Sequence, residues 1–221
     1  MNEIFLEYLN EDKNEGPECI KNYKNKRVVF KKEIDGKNYY IKKFCLPGRR
    51  GKLLALGLRE DKVDRNIRLS EKLGNLNIAH VKIIFSHKEK ISFLQNISLM
   101  VTEEGGKVLD NFASDFENNK HLFIEFFNIF IKLCQNNIYP DDYSYVNVLV
   151  NENEELVLFD FDEYKTHKFF ITKKFRKKIL QNLKDCLLEN ETKKYIGLVE
   201  FSYDQIERVK KELKWEDIKI D

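Results

Sequence analysis

The sequence predicts an α+β protein in two parts: an antiparallel five-stranded sheet carrying one main helix, then a mostly helical half. Three observations carry this. Arg27 to Ile34 (RVVFKKEI) and Lys37 to Phe44 (KNYYIKKF) are β-branched and aromatic, and they flank Asp35-Gly36, a dipeptide that tolerates the positive φ of a type I′ turn. His121 to Asn136 (HLFIEFFNIFIKLCQN) is apolar nearly all round, as expected of a helix buried in the centre of a domain. Gly105-Gly106 separates the strand-rich stretch, 19–104, from the helix-rich one, 105–221.

In order along the chain, residues 1–18 are polar, end in Gly16-Pro17 and are expected to form a lead-in outside the core. Cys19 to Lys26 supplies a first strand and the hairpin the second and third. Leu46 to Lys52 (LPGRRGK) breaks the chain, and Leu53 to Leu73 then places Leu54, Leu58, Ile67 and Leu73 at helical spacings, giving one or two helices interrupted near Gly57. His80 to Ser86 and Ile97 to Thr102 complete the sheet. Thr172 to Leu188 and Tyr203 to Trp215 read as amphipathic helices.

Composition narrows the function. Lys+Arg 39 against Asp+Glu 37 leaves a net charge of +2, so bulk charge gives no argument for a nucleic acid partner, and none is expected. The cysteines Cys19, Cys45, Cys134 and Cys186 lie far apart with no CxxC pair, which points to reduced packing residues rather than a zinc site or disulfide framework. No apolar run of about 18 residues could span a bilayer. The first residues carry acids where a signal peptide carries a basic region, so a cytoplasmic protein is expected.

One stretch concentrates the chemistry: Ile138 to Asp162, IYPDDYSYVNVLVNENEELVLFDFD. Asp142 is followed five residues later by Asn147, and Asn147 thirteen residues later by Asp160 at the end of an apolar strand. This is the spacing by which protein-kinase-like folds hold Mg·ATP. Phosphoryl transfer relies on positioning and charge neutralisation. An acid must accept the proton of an alcohol, which suits Asp142; hard oxygen ligands must hold Mg²⁺, which suits Asn147 and Asp160; and a lysine must meet the phosphates. Alternation along the second hairpin strand puts Lys42 on one face with Tyr40 and Phe44, and Lys43 on the other with Tyr39 and Ile41. Singly, each residue has an ordinary reading as a turn or strand end. Their joint spacing, downstream of a strand lysine, favours the kinase-like reading.

These residues resemble the lipopolysaccharide core kinases, which phosphorylate heptose or Kdo sugars and have a compact, two-lobed protein-kinase-like fold. The resemblance runs from about residue 20 to residue 180, through YYIKKF (39–44), MVTEEGGKVL (100–109) as the hinge between lobes, DYSYVN (142–147) and LVLFDFD (156–162). It implies ATP and Mg²⁺ as cofactors, Asp142 as catalytic base, Asn147 and Asp160 as metal ligands, Lys42 as phosphate anchor, and the backbone around Thr102 and Glu103 as the adenine contact. The implied reaction is phosphorylation of a sugar hydroxyl of the lipopolysaccharide inner core. The alternatives are a kinase of a soluble alcohol, choline- or aminoglycoside-like, and a pseudokinase acting as a binding module.

The chain departs from the family pattern at four places. The turn within Tyr23 to Arg27 has no glycine. Tyr139-Pro140-Asp141 stands where a His-Gly or His-Arg type pair is commoner, with Cys134 in place of an upstream His. Asn66 falls near the position of the helix acid that pairs with the strand lysine, with Asp64 and Glu71 to either side. Tyr40 stands where a small residue usually lines the adenine pocket. Finally, Lys168, Lys173, Lys174, Arg176, Lys177 and Lys178 form a basic cluster, with Arg49, Arg50 and Lys52 a second. Besides a solvated helix face, they offer a surface for anionic headgroups at the inner face of the cell membrane or for the phosphates of a lipid-linked sugar.

Overall fold

Strand-forming sequence and one glycine turn build the first unit. In the computed structural model, which describes residues 2–10, 17–24, 26–45, 48–58, 60–92, 95–167, 171–188 and 195–220, the chain divides into two compact units. One comprises residues up to Asn77 together with Val81–Glu104; the other comprises Ile78–His80 and Gly105 onwards. The first holds β1 (Cys19–Asn22), β2 (Arg27–Ile34), β3 (Lys37–Cys45), β4 (Ile83–Ser92) and β5 (Gln95–Glu103), all antiparallel in the order β1-β2-β3-β5-β4. Asp35 and Gly36 adopt φ of 51° and 73°, the two left-handed residues of a type I′ turn. β1 stops at Asn22 because Tyr23 turns back on itself: its N–H donates to the Arg27 carbonyl and its carbonyl accepts from Lys26.

Cross-strand register sorts the sheet into two faces. On one, Val28, Phe30, Tyr39, Ile41, Leu99 and Val101 form a cluster completed by Phe5 and Tyr8, each 1% exposed. These last two come from α1 (Asn2–Leu6) and the 3-10 turn Glu7–Leu9 that follows. The start of the lead-in, expected outside the core, therefore packs Phe5 and Tyr8 onto one sheet face. Of its apolar side chains, Phe5 and Tyr8, three residues apart, are the ones fully buried. Glu18 anchors the segment by accepting from the Tyr8 hydroxyl and from Lys32 Nζ, the latter at 2.6 Å.

The opposite face packs Phe44 and Met100 on Val63, with Ile67 and Ile83 alongside. Val63 and Ile67 belong to α3 (Lys62–Asn75), which is preceded by α2 (Gly48–Ala55). α2 thus starts inside the segment expected to be a break. It ends at Gly57, whose φ of 71° permits the paired bonds from Gly57 N–H to the Leu54 carbonyl and from Leu58 N–H to the Leu53 carbonyl that close a helix C-terminus. Asp61 caps α3 by accepting from the Val63 N–H at 2.7 Å, and its second oxygen accepts from Ser98 of β5 at 3.0 Å.

The second unit contains β6 (Lys107–Val108), α4 (Phe116–Gln135), β7 (Ile138–Tyr139), β8 (Val148–Val150), β9 (Leu156–Leu158), β10 (Lys165–Thr166), α5 (Lys173–Leu188) and α6 (Ile196–Glu212). β6, β8 and β9 form an antiparallel sheet in that order, and β7 pairs with β10. His80, expected in the fourth strand of the first sheet, instead bridges in parallel to Leu158, with the Leu158 N–H donating to the Ala79 carbonyl. α4 buries Leu122, Phe123, Phe126, Phe127, Phe130 and Leu133, in keeping with its apolar sequence. α6 begins at Ile196 rather than Tyr203, because Leu198, Ser202, Ile206 and Val209 recur on one buried face. At Gly106, φ is 130° and a Cβ would collide with the Val150 carbonyl, so only glycine lets the chain enter β6 beside β8.

Candidate active site

The loop from β7 to β8 is pinned by its own tyrosines. Tyr143 Oη donates to the Phe126 carbonyl of α4 at 2.9 Å, and its ring centroid lies 4.3 Å from that of Phe126. Tyr145 lies 5.0 Å from the Phe123 ring, and its hydroxyl is 2.8 Å from Ser202 Oγ of α6. Burial pushes both phenols well above their ordinary range, so they stay protonated and serve as neutral anchors. With alternate residues fastened inward, Asp142 stands exposed and Asn147 half-buried on the open side.

β-pairing brings Asn147 and Asp160 to one place. Val148 opposes Leu158, so Asn147, just before β8, and Asp160, two residues after β9, lie at the same end of the hairpin. Asn147 Nδ2 donates to the Asp142 carbonyl at 3.2 Å, leaving Oδ1 as the amide's remaining polar atom. Asp160 adopts φ 53°, ψ 41°, a left-handed conformation that costs an L-residue energy and that aspartate tolerates better than most. That turn sends Phe161 into the core, 2% exposed, while Asp160 stays half-buried. The buried Tyr164 feels the charge of both acids. Its hydroxyl is pushed well above the ordinary phenol range by burial first, then by the charges of Asp142 and Asp160.

One amide oxygen and one carboxylate suit Mg²⁺, which takes one or two protein ligands and fills the rest from phosphates and water. Among the described residues there is no cluster of three or more His, Cys, Asp or Glu that would form an all-protein cage. Asn147 and Asp160 are the residues that could hold such an ion.

Sequence reasoning missed the role of Asp141. Its Oδ2 accepts from Lys165 of β10 and from Lys178 of α5, the latter at 3.1 Å, and Asn182 Nδ2 donates to its Oδ1 at 2.7 Å and to its carbonyl at 3.1 Å. Burial raises the Asp141 carboxyl, but the bonds and charges of the two lysines outweigh it and hold the group below the usual carboxylate range. This cluster ties the loop after β7 to β10 and α5. Cys134 itself is buried in α4, and burial pushes its thiol up, as for an inert packing residue.

The remaining candidates belong to the first unit. Register separates the two lysines: Lys42, 9% exposed, sits opposite Met100 on the α3 face, while Lys43, 2% exposed, is buried under the N-terminal segment with Nζ donating to the Asn10 carbonyl at 2.9 Å. Thr102, buried, faces Tyr40, and Glu103 faces Tyr39. The Tyr40 hydroxyl donates to Glu104 at 3.1 Å, and Glu104 also accepts from Asn38 and Lys31. The Asn38 amide first, then Lys31 and Tyr40, hold the Glu104 carboxyl below its ordinary range. On α3, Asp64 is bound by Lys88 at 2.7 and 2.9 Å and Glu71 is exposed, whereas Asn66, 1% exposed, is a polar residue the helix buries.

Of the basic cluster, Lys168 lies outside the described residues, as do Phe169, Phe170 and the side chains of Arg49 and Arg50. Lys173 pairs with Asp217 at 3.0 Å and Lys178 with Asp141, Arg176 and Lys177 are half-buried, and Lys174 is exposed. Among the described residues no helix is long and apolar enough to cross a membrane.

No protein-family model matches the sequence, and no curated protein does. Among solved structures, WaaP in complex with acyl carrier protein is similar over 90% of this chain and 90% of that chain, with a TM-score of 0.54 and 16% sequence identity. At that identity the likeness shows the fold: the chain has a WaaP-like, kinase-like α/β architecture with a five-stranded antiparallel sheet.

Proposed function

We propose that this protein transfers the γ-phosphoryl group of ATP to a sugar hydroxyl, heptose or Kdo, of the lipopolysaccharide inner core. The single observation that supports the reading is the placement of Asn147 and Asp160 at one end of the β8–β9 hairpin, with the Asn147 amide bonded to the Asp142 carbonyl, in a fold shared with WaaP, a lipopolysaccharide core heptose kinase. In this reading Asp142 orients the acceptor hydroxyl and takes its proton, and Asn147 and Asp160 hold Mg²⁺. Lys42 meets the phosphates, and the backbone at Thr102 and Glu103 receives the adenine. Bound Mg²⁺ supplies charge neutralisation on the phosphates. An acyl carrier protein, the partner in the WaaP complex, is a partner proposed for this chain too.

The test is transfer of labelled phosphate from ATP to isolated core oligosaccharide. Asp142→Ala is expected to lower turnover by about 10²- to 10⁴-fold with the fold intact. Full activity in that variant overturns the assignment. Transfer only to a small soluble alcohol would reassign the acceptor.

One observation favours a second reading, nucleotide binding without transfer. α3 buries Asn66, whose amide donates to the Lys62 carbonyl, while Lys88 bonds Asp64 and Glu71 is exposed. A Mg²⁺-dependent rise in melting temperature with ATP, lost in Asp160→Ala, combined with no transfer to any acceptor, would establish it.

A further inference from the structure

Lys178, Asn182 and Cys186 follow one another at intervals of four along α5, and so form one stripe of that helix. The whole stripe meets two consecutive residues of the candidate catalytic loop. Lys178 Nζ lies 3.1 Å from Asp141 Oδ2, and Asn182 Nδ2 donates at 2.7 Å to Asp141 Oδ1 and at 3.1 Å to its carbonyl. Cys186 Sγ lies 3.9 Å from Asp142 Oδ1. From the other side Lys165 reaches the same Asp141 oxygen as Lys178, and β10 places it there by pairing Lys165 with Tyr139.

The geometry points to this stripe as the positioning device for Asp142, with Asn182 and Lys178 acting through Asp141. The inference rests on the kinase reading for its catalytic meaning, but not for its structural content. Asp141 is held at three atoms: both carboxylate oxygens and the carbonyl are engaged, two of them by a single amide. A residue bonded to a rigid helix through its main chain and its side chain together loses rotation about its own backbone. The next peptide, which carries Asp142, is then fixed in direction. Asp142 itself is exposed and its side chain meets the stripe only through the thiol of Cys186, a weak donor. Besides the Asn147 amide on its carbonyl, its placement comes from its neighbour Asp141. An acceptor-orienting carboxylate needs this arrangement: held in direction, yet with its oxygens open to an incoming hydroxyl.

Asn182→Ala and Asn182→Asp test it, the second setting a carboxylate against the Asp141 carboxylate. Lys178→Met and Lys178→Arg complete the set, the arginine being the rescue. Two readouts are needed. In phosphate transfer, kcat is expected to fall by about 10²-fold in both Asn182 variants, with KM for Mg·ATP changed by less than about threefold, because displacing a reacting group by about 1 Å is enough for such a loss. Lys178→Met should fall less, and Lys178→Arg should recover most of the turnover.

The second readout needs no activity. Cys186, half-buried with its Sγ 3.9 Å from Asp142 Oδ1, serves as a reporter, since releasing the loop takes that carboxylate away from the thiol. The rate of Cys186 alkylation by iodoacetamide, followed on its own peptide by mass spectrometry against Cys19 and Cys45 as internal controls, is expected to rise by about tenfold in Asn182→Ala.

If wild-type protein transfers phosphate and the Asn182 variants keep full kcat and an unchanged Cys186 rate, the positioning inference fails while the kinase reading stands. If no acceptor is phosphorylated by wild-type protein but Cys186 is alkylated faster in Asn182→Ala, the kinase reading fails and the positioning role stands. Equal losses of kcat and Mg·ATP affinity with a lowered melting temperature overturn the inference, because they describe general damage to the helix.

Discussion

Asp61 and Ser98 share a buried hydrogen bond of 3.0 Å that ties the first turn of α3 to β5, while the other Asp61 oxygen caps the helix. Asp61→Ala removes both contacts and leaves the Val63 N–H and Ser98 hydroxyl without them. It is expected to destabilise the protein by about 1–3 kcal/mol. Ser98→Ala should cost less, and the double mutant should fall short of the sum by about 1 kcal/mol, as residues in direct contact do. Urea titrations of the four proteins check it, and strict additivity would show that the bond contributes nothing.

Phe5→Ala should destabilise the protein by about 3 kcal/mol, the usual loss for a large core side chain. Phe5 is 1% exposed, and its ring lies 5.8 Å from those of both Tyr39 and Phe85. The same substitution in a solvated tail would be silent, so thermal melts of wild type and variant decide.

Gly106→Ala should cost more than about 1 kcal/mol, since alanine is strained at φ 130° and its methyl would displace the Val150 carbonyl. The expected sign is a lowered melting temperature. An unchanged one would mean that β6 and β8 move apart freely.

The Asp141 cluster should add to stability above the ordinary carboxylate range and lose that contribution only in strong acid. In the unfolded chain Asp141 titrates near 3.9. In the folded protein its carboxyl lies lower, because the bonds and charges of Lys165 and Lys178 outweigh the opposing effect of burial. Between those two values the unfolded state binds more protons, so stability rises with pH. The contribution is complete above the unfolded value and is lost as pH falls through the folded one. Melting temperatures from pH 2 to 6 should show an acid limb that is shallower in Asp141→Asn.

Short-range signals were legible in the sequence and long-range ones were not. The β2–β3 hairpin could be read because Asp35-Gly36 states its turn locally, and α4 because its apolar run is long. The Asp142, Asn147 and Asp160 spacing was visible because β8 and β9 are joined by a short turn that keeps spacing and geometry linked. Asp141 was opaque for the opposite reason: Lys165, Lys178 and Asn182 lie 24, 37 and 41 residues away, and nothing local to Pro140-Asp141 announces them. The N-terminal helix was missed because five residues carry too little periodicity to outweigh their acidic neighbours. His80 falls outside the first sheet because a single parallel bridge, to Leu158, leaves no periodic signal to separate it from the start of the strand that follows.

The N-terminal cover over the sheet also has a history built into it. Phe5 is synthesised about eighty residues before Phe85 and well before Leu99 and Val101, with which it shares a cluster. On the ribosome the segment therefore waits with its apolar side chains unpartnered while the sheet is still being made, and its docking is among the last and most non-local steps in forming that unit. A bulky tag fused directly ahead of Asn2 would interfere at that moment. The same tag placed elsewhere on the chain would leave the order of events intact.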